Sequence, residues 1–134
     1  MVTFRCYISG EGVDQIRVRY DAQDGGVQAA LTAVMEVLEA ISRDRWPESC
    51  FKSLENRKGS QCEGLDELKL EVEGVHYRIL GFSGPRDDDF TMLLPLKKDD
   101  DPTYKASCEE AQKRKAEVIN DWTRAREWEA PQSD

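Results

Sequence analysis

The chain has 134 residues, with 19 Lys+Arg against 27 Asp+Glu, a formal net charge of −8, and 39% hydrophobic and 34% charged residues. That length fits one domain, because two cores would each fall near the size at which folding alone becomes marginal. No apolar run approaches the roughly 20 residues that span a bilayer, and the acidic balance excludes a protein that coats nucleic acid through a broad basic face.

Residues 2–9 alternate Val2, Phe4, Cys6 and Ile8 against Thr3, Arg5 and Tyr7, the period of a strand with one buried face. Gly10-Glu11-Gly12 breaks it. Residues 14–20 fit two readings: Ile16, Val18 and Tyr20 suit a strand, whereas Ile16 with Tyr20 suits a helical turn. After Gly25-Gly26 the stripe Val27, Leu31, Val34, Leu38 and Ile41 predicts a helix, with Asp24 as its N-cap and Pro47 as its latest possible end. Residues 43–64 read as an irregular connector anchored by Trp46, Phe51 and Leu54.

From Gly64 the period changes to two. Leu68, Leu70 and Val72 point one way, and Lys69, Glu71 and Glu73 the other. Glu73-Gly74 predicts a hairpin turn into a return strand over 75–82. After the turn at 84–89, residues 90–96 are almost continuously apolar, as an inner strand requires, with Pro95 marking a bulge or an end. Asp101-Pro102 is a helix start. Tyr104, Cys108, Ala111, Val118, Trp122 and Ala125 then form one stripe interrupted by Lys115. The expected fold class is α+β, a small antiparallel or mixed sheet with helices packed on one face. The domain spans 1–125, and 126–134 is expected to be a frayed tail.

The cysteines Cys6, Cys50, Cys62 and Cys108 form no Cys-x-x-Cys pair, and His76 is the only histidine, so the spacings of zinc sites are absent. With no basic-then-apolar leader after Met1, the expected compartment is the cytoplasm. There, buried reduced thiols are the expectation. Two basic segments interrupt the acidic chain: 43–58, with five basic and three acidic residues, and 105–126, with six and four. A local anion site is compatible with that pattern.

The run Phe51-Lys52-Ser53-Leu54, then Gly64-Leu65-Asp66-Glu67-Leu68-Lys69, then Tyr77-Arg78-Ile79-Leu80-Gly81-Phe82 resembles the RelE/HigB superfamily of bacterial toxins, in its HigB-like, phage-associated branch. That superfamily shows the progression k-x-L, G-L-x-E-L-[RK], then [YH]-R, two hydrophobic residues, [GY]-[FY]. The similarity continues through Leu93, Leu96, Lys97-Lys98, Tyr104, Ala111 and Lys113-Arg114-Lys115, covering about residues 50–118. It implies a RelE-like fold and a metal-independent, cofactor-free mRNA endoribonuclease, acting on free or ribosome-bound mRNA and neutralised by an antitoxin protein.

By the resemblance, Lys69, Arg78, Lys98 and Tyr104 are the candidate catalytic residues, and Lys97, Lys113 and Arg114 are candidate RNA contacts. The chemistry needs a base for the ribose 2′-hydroxyl, cations for the charge on phosphorus and an acid for the 5′-oxygen. Each residue also has a plainer reading. Lys69, Lys97 and Lys98 serve as strand charges, Arg78 as a side chain pointing into solvent, Tyr104 as part of the apolar stripe, and Lys113 and Arg114 as a solvated face with the i,i+4 pairs Glu109–Lys113 and Glu110–Arg114. His76 reads as a surface residue. Asp87, Asp88 and Asp89 read as a solvated turn, lacking the spaced ligands of a calcium loop. Asp99, Asp100 and Asp101 weaken a pull on phosphate, so two alternatives stay open: a catalytically inactive protein-binding module of the same fold, and a phage or mobile-element accessory protein.

Overall fold

In the computed structural model, which describes residues 1–54, 61–72, 74–96 and 104–129, the chain forms β1 (Thr3–Tyr7), α1 (Gln15–Asp21), α2 (Gly25–Glu39), β2 (Phe51–Ser53), β3 (Asp66–Val72), β4 (Val75–Ser83), β5 (Asp89–Pro95), α3 (Lys105–Asn120) and β6 (Ala125–Glu127). The sheet order is β2-β3-β4-β5-β1-β6. Neighbours run antiparallel except β1 and β5, which are parallel. The fold is therefore α+β with a mixed sheet.

Helices cover both faces of the sheet, which corrects the expectation of one. On one face Phe4, Cys6, Leu68, Leu70, Ile79, Phe90 and Met92 meet Ile16 and Tyr20 of α1 and Val27, Leu31, Met35 and Leu38 of α2. On the other face Tyr7, Leu80, Phe82 and Leu93 meet Cys108, Ala111 and Val118 of α3. The run of β5 explains this. Phe90 and Met92 point to one layer and Thr91 and Leu93 to the other, and all four are at most 1% exposed. A strand buried on both sides has no polar alternation to keep.

Residues 15–21 are helical. Asp14 caps the turn by accepting from the Arg17 N–H at 2.9 Å, and Ile16 and Tyr20 point inward while Val18 is 61% exposed. A strand would have put all three on one face. Asp24 caps α2 as expected, accepting from the Val27 N–H at 2.9 Å. Within 43–64, Trp46 and Leu54 are buried and Phe51 half-buried, but the connector also contains a 3-10 turn at Arg43–Arg45 and the edge strand β2.

The closing helix is shorter than its stripe implied. Asp121 leaves the helical region and accepts from the Thr123 N–H at 3.0 Å, starting a 3-10 turn at Trp122–Arg124. Trp122 is consequently 54% exposed. Residues 126–129 are not a frayed tail, because Arg126 and Glu127 pair with β1 in β6 and Trp128 is buried against Tyr20. The proposed start at Asp101-Pro102 lies outside the described residues.

Two further differences concern polar and sulfur groups. Cys62 and Cys108 form a disulfide, with their Cα atoms 5.0 Å apart, while Cys6 and Cys50 remain free. The aspartate turn is solvated at Asp87 and Asp88, but Asp89 is buried. Its carboxylate accepts from Arg5 Nε at 2.9 Å and from Arg86 Nε at 3.0 Å and Nη2 at 3.1 Å. Among the described residues no helix is long and apolar enough to cross a membrane.

Candidate functional site

The β3–β4 ladder sets Lys69 directly opposite Arg78. Side chains alternate along a strand, so both point away from the layer that buries Leu68, Leu70, Tyr77 and Ile79. They stand on the α3 side of the sheet, and both are half-buried. The Arg78 carbonyl accepts from the Leu96 N–H at 2.8 Å, which fixes this part of β4 against the chain leaving β5.

Tyr104 precedes α3 and closes over the same patch. Arg78 Nη1 lies 3.4 Å from the Tyr104 hydroxyl oxygen, to which it donates. Glu67, two residues before Lys69 and on the same face of β3, stands beside the Tyr104 hydroxyl. Glu67 is 2% exposed, and its Oε2 has no hydrogen-bond partner among the described residues. Burial, and then the Glu67 carboxylate, push the Tyr104 phenol above its ordinary value against the opposing pull of Arg78. Tyr104 is thus held protonated at neutral pH. It reaches this position with φ at 63°, a left-handed backbone that a bulky residue keeps only where its surroundings hold it.

Of the sequence-predicted residues, Arg78 and Tyr104 meet, and Lys69 stands opposite Arg78 on the same sheet face. Lys97 and Lys98 lie outside the described residues. Lys113 is exposed on α3. Arg114 is 9% exposed and already engaged: it donates to the Leu93 carbonyl at 2.9 Å and to Gln15 Oε1 at 3.0 Å, pairs with Glu110 at 3.4 Å, and stacks over the Tyr7 ring at 4.9 Å. These contacts tie α3 to β5 and to the start of α1. His76 is exposed, with Nδ1 3.8 Å from Glu71 on the facing strand.

Glu67 is the residue that sequence reasoning passed over. Its parity with Lys69 was visible, but its burial against a tyrosine nearly forty positions later was not. A separate groove of about 610 Å³ runs between the ends of β2 and β4, with Arg43 over the Phe51 ring and Lys115 over the Phe82 ring, flanked by Asp66 and Asp87. Its charges balance, and Lys69, Arg78 and Tyr104 do not line it. Among the described residues no three His, Cys, Asp or Glu side chains are grouped to hold a metal ion.

The chemistry available to this patch is that of two neighbouring cations beside a phenol and a buried carboxylate. Such a set can bind a tetrahedral anion, stabilise added negative charge on it and deliver one proton. Comparison of the chain with protein-family models, with curated proteins and with solved structures gave no match.

Proposed function

We propose that this chain is a toxin-type mRNA endoribonuclease with a RelE-like fold, neutralised by a partner antitoxin. The observation that carries the reading is the contact of Arg78 with Tyr104 beside Lys69, its partner in the β3–β4 register, three residues that the resemblance to RelE/HigB toxins singles out. The order of strand, helical pair, antiparallel meander and closing helix supports the fold assignment.

In this reading the ribose 2′-hydroxyl passes its proton to the Glu67 carboxylate as its oxygen attacks the adjacent phosphorus, and the bond to the 5′-oxygen breaks. The products carry a 2′,3′-cyclic phosphate and a 5′-hydroxyl. Arg78 and Lys69 hold the charge that develops on the non-bridging oxygens. Tyr104, kept protonated in its buried setting, donates to the departing 5′-oxygen.

Incubation of the purified protein, with and without ribosomes, on a defined mRNA tests this. New ends with a cyclic phosphate are expected from the parent and not from Arg78→Ala. A second reading, a non-catalytic protein-binding module, is favoured by the net charge of −8 and by the carboxylate buried beside the phenol. It predicts a stable partner complex with no cleavage by either form.

A further inference from the structure

The loop that leads into β3 is fastened to α3 at several points. Cys62 is bonded to Cys108. Gln112 Nε2 donates to the carbonyls of Gln61 at 2.9 Å and Glu63 at 2.6 Å, and Lys115 Nζ donates to that of Gly64 at 3.0 Å. The disulfide is the attachment nearest the site. The Cys108 N–H donates to the Tyr104 carbonyl at 2.8 Å, and the Cys62 sulfur lies 3.9 Å from the same oxygen. One helical turn therefore separates the bridge from the residue that must keep a left-handed backbone to reach Arg78.

We propose that the Cys62–Cys108 disulfide is a redox control on the Tyr104 site, which extends the ribonuclease reading above to its regulation. Intact, it clamps the first turn of α3 over β3 and holds Tyr104 against Arg78 and Glu67. A dithiol reductant opens it. One thiolate of the reductant attacks a bridge sulfur and breaks the S–S bond, and its second thiol resolves the mixed disulfide. Cys62 and Cys108 take up two electrons and two protons as thiols, and the reductant leaves as its own disulfide. Gln112 and Lys115 still hold the later turns, so the loosening stays local to the first turn. Both cysteines are buried, at 2% and 0% exposure, so the reductant enters only as that turn opens.

The test is hydrogen exchange of the α3 amides in the oxidised protein, in protein reduced with dithiothreitol, and in Cys62→Ala/Cys108→Ala. Exchange at residues 107–110 is expected to speed up at least tenfold on reduction and in the variant, with residues 113–118 changing little. RNA cleavage should fall by a similar factor. Unchanged exchange in the first turn overturns the proposal, whatever happens to RNA. Faster exchange with no cleavage by any form upholds the clamp and removes the ribonuclease reading instead. If the double variant does not fold, the reduced parent protein decides alone.

Discussion

The Arg78 guanidinium, projecting from the middle of β4, lies 3.4 Å from the hydroxyl oxygen of Tyr104 at the mouth of α3. Neither residue is near the other in sequence, and their contact joins the sheet to the helix at the candidate site. On the ribonuclease reading proposed above, Arg78→Ala should lower cleavage of a defined RNA by about a hundredfold or more, the scale for removing one charge-stabilising donor. Arg78 is only half-buried, so urea midpoints should move little. A large loss of stability with no change in cleavage would mark it as a structural cation.

Asp89 makes stability depend on acid. Burial raises its carboxyl, but the bonds from Arg86 and the charge of Arg5 more than offset this and hold it below the ordinary value of 3.8. Its contribution is therefore complete above that value and disappears as pH falls through the lower folded one. Asp89→Asn should flatten the acid limb of a stability-versus-pH curve. Asp89→Ala, which leaves Arg5 without its carboxylate partner, should cost about 3 kcal/mol at pH 7 by urea titration.

Tyrosines govern the alkaline side. Tyr7, Tyr77 and Tyr104 are all raised, each chiefly by burial, with Glu117 adding at Tyr7 and Glu67 at Tyr104. The unfolded chain ionises first, so stability should begin to fall near pH 10 and keep falling through the raised folded values. Tyr77→Phe should reduce that slope. It should also cost about 1 kcal/mol at neutral pH, because the Tyr77 hydroxyl donates to the Ile16 carbonyl at 3.0 Å. Urea titrations between pH 9 and 11.5 measure both effects.

Gly81 sits where the β4–β5 register slips. A Cβ there would stand 2.4 Å from the Thr91 carbonyl oxygen and 2.9 Å from two carbons of the Phe90 ring. Backbone and a fully buried ring have nowhere to retreat, so Gly81→Ala should destabilise by about 3 kcal/mol in thermal or urea unfolding. Gly25→Ala, where nothing lies within 4 Å, is the control.

Local signals carried much of the architecture. The alternation in β1 and β3, the α2 stripe and the turn after Val72 fix their own elements, and the hairpin alone puts Lys69 opposite Arg78. What local period cannot encode is which layer a long-range partner occupies. The two-sided burial of β5 was present as a continuous apolar run, yet nothing nearby said that α3 would cross to the opposite face from α1 and α2. The Cys62–Cys108 bridge spans 46 positions, and its pairing is a property of the packed fold. The helix-period stripe through Trp122 and Ala125 continued past Asp121, whose side chain redirects the backbone, so periodicity overran a capping signal. Tyr104 could be named as a candidate, but its meeting with Glu67 required the tertiary structure.

The place of β1, between β5 and β6, has a consequence for how the molecule is born. Arg5 meets Asp89 from 84 positions away and the Ala125 carbonyl from 120, so the sheet's interior strand cannot find either neighbour early. Such distant pairings favour slow folding. During synthesis at about 5–20 residues per second, the apolar edge of Phe4 and Cys6 waits on the order of ten seconds for β5 to emerge. That interval is when a nascent chain of this design most needs a chaperone.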